Sequence, residues 1–140
     1  MSIKIACSEY SSKLTDILSG RNWIDVEDAT NTIFKAWQHD QRVYLCGNGG
    51  SAGNAIHLAN DFLYGVAGQN GKGIDVEALS ANTSVLTCLA NDVAYEEIYS
   101  KQLEVKGKPG DVLIVLSGSG NSPNIIRALE MANNLSMNTI

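Results

Sequence analysis

The stretch Val43 to Leu63, VYLCGNGGSAGNAIHLANDFL, constrains this chain more than any other, because it places an apolar run, a glycine turn and a helix in succession. Val43, Tyr44, Leu45 and Cys46 suit a short parallel strand buried on both faces. Gly47, Asn48, Gly49 and Gly50 then stop it. With three of these four residues lacking a Cβ, the backbone can turn sharply and lie close to a ligand, and Ser51 can start a helix whose free N–H groups point at that ligand. Such a helix end suits an anion, phosphate above all. The same residues also suit two different roles. The glycines can be a plain strand-to-helix connection, and Gly47, Gly49 and Ala52 also fit the dinucleotide pattern G-x-G-x-x-A.

From residue 43 onward strand and helix alternate. The segment Gly65 to Gly73, with four glycines plus Gln69 and Asn70 and Lys72 as its only charge, reads as a flexible connection that can serve as a lid. Val76 to Leu79 is a second strand, Ser80 to Ser84 a polar turn, and VLTCLAND a short helix closed by Asn91 and Asp92. Tyr95 to Val105 has helical spacing, Lys106 to Asp111 is a turn, and VLIVL at 112 to 116 is a third strand. The loop Ser117-Gly-Ser-Gly-Asn-Ser122 follows, with Ser122 suited to an N-cap and Pro123 to the first helical position. Three serine hydroxyls and several free amides converge there. Alone, this loop too can be plain connection. Together with the first loop it lies along the carboxyl edge of a parallel sheet, where ligands of open α/β sheets bind.

Ahead of the first strand, SEYSSKLTDILSG reads as a helix ending with Gly20 at its C′ position. Asp25 can cap a second helix in which Val26, Ala29, Ile33, Phe34 and Trp37 recur near the spacing of one face. These helices can cover the sheet or pack on another subunit. His39 stands alone at the end of the second, a position that suits a C-terminal charge better than a ligand.

Composition excludes several function classes. A chain of 140 residues with 44% hydrophobic content is one ordinary soluble domain. Ten Lys and Arg against fifteen Asp and Glu, a net charge of −5, lack the basic footprint of a nucleic-acid binder. There is no signal-peptide pattern and no apolar run of membrane-span length, so no membrane partner and a cytoplasmic location are expected. Cys7, Cys46 and Cys88 are odd in number and far apart, which argues against disulfides or a cysteine zinc site, and they read as buried small apolar residues.

The ordered set GNGGSA at 47 to 52, LTCLAND at 86 to 92 and LSGSGNSPN at 116 to 124 resembles the SIS (sugar isomerase) domain, closest to the phosphoheptose isomerases. The resemblance runs from about Arg42 to the end of the chain. It implies an α/β fold, a Rossmann-like parallel sheet with helices on both faces (43–140) preceded by N-terminal helices (1–42), in a single SIS domain over 1–140 and a homo-oligomer, a tetramer. By position it places Asn48, Gly49, Gly50 and Ser51 on a sugar-phosphate substrate, Asn91 and Asp92 beside the sugar, and the phosphate on Ser117, Gly118, Ser119 and Ser122. The implied reaction converts D-sedoheptulose 7-phosphate to D-glycero-D-heptose 7-phosphate for bacterial surface polysaccharide, with no nucleotide cofactor. Family members that carry zinc hold it partly through a His and a Glu on the central helix. Here these are His57 and Asp61.

Residues four apart share one helical face, and imidazole and carboxylate are both competent zinc ligands. The same two residues can equally form an exposed pair worth about 0.3 to 0.5 kcal/mol. Asp61 is also the only candidate base on this segment, and general acid–base catalysis contributes roughly 10² to 10⁴ in rate. Its carboxylate is one methylene shorter than the family's Glu, and a displacement of about 1 Å can cost on the order of a hundredfold. The family's remaining catalytic His and Gln come from a later helix. Leu135 to Ile140 reads as a turn and the start of another strand, so the chain is expected to be C-terminally incomplete, whether a fragment or a homologue without that helix. A non-catalytic SIS protein, either phosphosugar-binding or associating with a replication initiator, is the alternative. NAD(P) binding is a third.

Overall fold

The computed structural model describes residues 2–67 and 71–140. Gly68 to Asn70, the centre of the stretch that reads as a lid, lie outside the described residues.

The first compact unit, residues 1–30, is helical. Helix α1 spans Ile3–Ser19 and begins earlier than the sequence suggested, because the Ser2 hydroxyl accepts from the Ile5 N–H. Gly20 closes it as the C-cap in right-handed geometry (φ −87°), so the left-handed C′ role expected of it is not used. None of the residues of α1 is buried. Helix α2, Ile24–Gln38, is entered through Asn22, whose side chain accepts from the Ile24 N–H. Asp25 is therefore no cap. It lies in the first turn, where its charge still favours the helix dipole.

The second unit, residues 31–140, carries a four-stranded sheet with all pairings parallel, in the order β2-β1-β3-β4. The strands are β1 Val43–Gly47, β2 Val76–Ala78, β3 Val112–Leu116 and β4 Asn138–Thr139. The helices between them are α3 Gly50–Asn60, continued by a π turn Asp61–Gly65; α4 Thr83–Asp92; α5 Ser100–Lys106; and α6 Pro123–Asn134. Side chains alternate across the strands as a period of two requires. Val43, Leu45, Val112 and Ile114 meet Ala36, Ile33, Trp37, Ala55 and Leu58 on one face. Tyr44, Cys46 and Leu113 meet Tyr99, Leu103, Ile125, Ala128 and Ala132 on the other. Helices thus cover both faces of the sheet. The apolar stripe of α2 is divided, since Phe34 and Val26 stay 48% and 45% exposed.

Two helix-to-strand turns are built alike without glycine. At the end of α2, Asp40 adopts φ 55°, and the N–H groups of Asp40 and Gln41 bond to the carbonyls of Trp37 and Ala36. At the end of α6, Ser136 adopts φ 58°, and Ser136 and Met137 bond to Asn133 and Ala132. Both are Schellman closures, each leading into a strand. Tyr95 to Val105 is not one helix. A 3₁₀ turn at Tyr95–Glu97 precedes α5, and the break holds Ile98 and Tyr99 in the core at 2% exposure each. Lys72 is tied down by an ion pair to Asp40 and by its carbonyl, which accepts from Trp37 Nε1, so this end of the glycine-rich connection is anchored. Among the described residues no helix is long and apolar enough to cross a membrane.

At the amino ends of the strands, Asp111 is 4% exposed, and its carboxylate accepts the N–H groups of Arg42 at 2.9 Å and Lys108 at 3.0 Å. Removing it strands two backbone donors at the entry to β1 and β3. Asp111→Ala is expected to destabilise the fold by about 2 to 4 kcal/mol, measured as a lower urea midpoint at unchanged slope. An unchanged midpoint would mean that water replaces the carboxylate there.

Candidate functional site

The strand order creates one position where the chain runs to opposite sides of a strand. From β1 the connection through α3 leads outward to β2, and the next one crosses back to β3 on the other flank. The carboxyl ends of β1 and β3 therefore frame a crevice, the place where open α/β sheets bind ligands. Gly47 and Leu116 are register partners, so the loops Asn48 to Gly49 and Ser117 to Ser122 leave the sheet side by side.

Each loop delivers a helix N-terminus. Gly49 is the N-cap of α3 with φ 56° and ψ −119°, a conformation that an L side chain resists, so the helix starts at Gly50 rather than at Ser51. Ser51 is its second residue. A Cβ on Gly47 would stand 2.8 Å from Ser51 and 2.9 Å from the Leu116 carbonyl oxygen, so only glycine allows the two strand ends and the helix to meet this closely. Beside Gly50 and Gly118, in contrast, the space is open. In the second loop Ser122 occupies the N-cap position and Pro123 opens α6, yet the Ser122 hydroxyl makes no capping bond. It lies 3.4 Å from the Ser119 hydroxyl. Ser117 Oγ accepts from the Gly120 N–H at 3.1 Å and Ser119 Oγ from the Asn121 N–H at 3.3 Å, so two of the amides expected to be free are satisfied by the loop's own serines. Arg127, the cation nearest in sequence, is engaged by Glu96, Glu97 and Glu130. The loop offers hydroxyls and helix-end dipoles, a chemistry that fits a phosphate.

The loops are fastened together through Asn48 and three residues that the sequence did not single out, Asn124, Tyr95 and Tyr99. Asn48 and Asn124 exchange amide hydrogen bonds, Nδ2 of each donating to Oδ1 of the other at 2.9 and 2.7 Å. Tyr95 donates its hydroxyl to Asn48 Oδ1 at 3.4 Å. Tyr99, buried beneath, donates to the Gly47 carbonyl. Asn124 was legible only as the last letter of LSGSGNSPN, and the tyrosines gave no signal beyond helical spacing. Burial pushes the Tyr99 hydroxyl up to about 12, so it stays a neutral donor. Burial likewise pushes the Cys46 thiol up to about 12. Cys7 and Cys88, expected to be buried, are exposed, because α1 has no buried residue and Cys88 faces outward on α4.

Asn91 and Asp92 lie exposed at the end of α4 and bond to each other at 2.7 Å, while Cys88 Sγ donates to Asp92 at 3.3 Å. The Asn91 amide, then the thiol, hold the Asp92 carboxyl below its usual value. Among the described residues neither bonds to the two loops; Tyr95, three residues on, does. His57 Nε2 and Asp61 Oδ2 are 3.4 Å apart, with side chains 76% and 49% exposed. They present two suitable donors for zinc. Among the described residues no group of three or more His, Cys, Asp or Glu is placed to hold a metal, and a catalytic zinc takes three protein ligands, so a zinc on this pair would need a further donor.

Comparison with known proteins bears on this geometry. The SIS domain family matches residues 9–140. Curated relatives called phosphoheptose isomerase include one from Chlorobaculum parvum, 38% identical over 94% of this chain and 63% of its own length. Another, from Clostridium acetobutylicum, is 39% identical over 95% of this chain and 67% of its own. A solved phosphoheptose isomerase from Neisseria gonorrhoeae superposes with a TM-score of 0.83 at 30% identity, over 97% of this chain and 71% of that one. A second, from Francisella tularensis, has the same fold, with a TM-score of 0.88 at 24% identity over 99% and 73%. The chain spans 63% and 64% of the length of the first two curated relatives it matches.

Raising the pH tests the anchor beneath the first loop. The folded-state value of Tyr99 lies above the unfolded one near 10, so its contribution is fully present below about pH 10 and is lost as pH rises through about 12. Tyr99→Phe should cost about 1 kcal/mol at pH 7. It should also flatten the loss of stability above pH 10 in denaturant titrations. Parallel curves for the two proteins would contradict this anchoring.

Proposed function

The chain belongs to the SIS-domain family, and from that premise we propose that the protein is an aldose–ketose isomerase acting on D-sedoheptulose 7-phosphate and D-glycero-D-heptose 7-phosphate. One observation carries this: two helix N-termini, those of α3 and α6, leave adjacent strand ends at a topological switch point, one behind glycines and one behind serines. Ser117, Gly118, Ser119 and Ser122 take the phosphate, the serines exchanging their internal bonds for phosphate oxygens. Asn48, Gly49, Gly50 and Ser51 take the sugar, with Asn91 and Asp92 at its side. The name that the relatives bear, phosphoheptose isomerase, supports the same substrate class. Such an enzyme would work in the cytoplasm, supplying heptose for bacterial surface polysaccharide.

In the reaction, a carboxylate takes the proton from the carbon beside the carbonyl, leaving an enediol, and returns it to the neighbouring carbon while a hydroxyl proton passes between the two oxygens. Asp61 is the base. At about 1.5 Å per residue it lies roughly 16 Å along the helix from Gly50. A seven-carbon sugar phosphate, at about 1.2 Å per bond as in an extended chain, reaches roughly 10 Å. On this reading a sugar held by one subunit's loops meets the Asp61 of a second copy in a homo-oligomer, a tetramer by family likeness. The exposed apolar side chains of α1, among them Ile3, Tyr10 and Ile17, suit such packing. Zinc shared by His57 and Asp61 would need a further donor, and no step is assigned to it.

The short, half-exposed Asp61 favours a second function, sugar-phosphate binding without turnover. A coupled assay with sedoheptulose 7-phosphate separates the two. Turnover is expected, with Asp61→Ala and the double variant Ser117→Ala/Ser119→Ala each lowering it at least a hundredfold. Co-refolded mixtures of these variants should regain activity, because some sites combine intact loops with an intact Asp61. Binding by calorimetry without turnover in the unsubstituted protein would leave the second function standing. Turnover without recovery in mixtures would place Asp61 and the loops in the same subunit.

A further inference from the structure

The Asn48–Asn124 pair limits what the first loop can offer a ligand. A primary amide has two acceptor positions and two donor hydrogens. Asn48 Oδ1 accepts from Asn124 Nδ2 at 2.7 Å and from the Tyr95 hydroxyl at 3.4 Å, so both of its acceptor positions are used. Asn48 Nδ2 gives one hydrogen to Asn124 Oδ1 at 2.9 Å and keeps one. Asn124 itself is 1% exposed and out of a ligand's reach. It is the first-turn residue of α6, so the pair also joins the serine loop's helix to the glycine loop across 76 residues of chain.

Resting on the functional reading above, we propose that Asn124 is a positioning residue which, with Tyr95, holds Asn48 so that it presents a single N–H and no acceptor to the crevice. The ligand atom it meets must therefore be an acceptor, a carbonyl or hydroxyl oxygen of the sugar. A hydroxyl of the ligand is received there only through its oxygen. The pair thus selects among sugar orientations, whereas the phosphate is held by the serine loop and does not depend on it.

Two measurements on the full chain test this. In the nitrogen-15 spectrum, with Asn48→Ser used for assignment, the two side-chain amide protons of Asn48 should exchange with water unequally, one protected at least tenfold and one not. Equal exchange would overturn the proposal whether or not any sugar binds. Calorimetry with sedoheptulose 7-phosphate and, separately, inorganic phosphate gives the second readout. Asn124→Leu is expected to weaken the sugar phosphate at least tenfold and inorganic phosphate less than threefold. A merely structural role would weaken both together in step with a lower melting temperature, or neither, and either result rejects the proposal. Should Asn124→Leu not fold, Tyr95→Phe, at a 61% exposed tyrosine, carries the test: sugar-phosphate affinity is expected to fall about threefold or more, and unchanged affinity overturns the proposal. If the unsubstituted chain binds neither ligand, the functional reading fails, and amide exchange still decides the positioning claim.

Discussion

The parallel pairing of β1 with β3, in register from Val43–Val112 to Gly47–Leu116, sets where the glycine loop and the serine loop leave the sheet. Parallel strands cannot be joined by a tight hairpin, so each needs a crossover helix, and each helix begins at the carboxyl edge of the sheet. Because β1 lies inside the sheet with β2 on one side and β3 on the other, two such helix starts open onto one crevice. The close approach of Gly47 to Ser51 and to the Leu116 carbonyl is part of the same constraint. A side chain there would force the loops apart, and the Asn48–Asn124 bonds could not form.

This arrangement lets an acidic chain hold an anion. With a net charge of −5 the protein attracts no phosphate from a distance, so affinity must come from short-range groups. Serine hydroxyls and helix-end dipoles act over such distances. Several cations are used elsewhere: Arg42 with Asp75, Lys106 with Glu77, and Arg127 with three glutamates. These pairs are partly exposed, and each contributes about 1 kcal/mol or less.

Much of the fold was legible in the sequence because the patterns were strong and local. VYLCG and VLIVL are continuous apolar runs, and Ser122-Pro123 marks a helix start by two independent preferences. What was missed depends on tertiary context. Asp40 and Ser136 make left-handed turns that usually signal through glycine, and nothing local announces them. Tyr95 to Val105 has the apolar spacing of one helix, but burial of Ile98 and Tyr99 breaks it. Cys7 and Cys88 read as core residues because cysteine usually is one, and the exposure of their helices decides otherwise. In the site, both loops were legible from composition, whereas the buried Asn124 and the two tyrosines that lock them depend on contacts across 47 to 76 residues of sequence. For His57 and Asp61 the spacing was legible, and the structure places His57 exposed on α3 and Asp61, half-exposed, at the head of the π turn that continues it.

Binding of a sugar phosphate in the crevice between β1 and β3 is tested most directly by following backbone amide chemical shifts of the full chain during titration with sedoheptulose 7-phosphate. The largest, saturable changes are expected at residues 48 to 51 and 117 to 125, on both loops together. Changes confined to another surface, such as the apolar groove lined by Val85, Leu89 and Val105, or no saturable change at millimolar ligand, would contradict it.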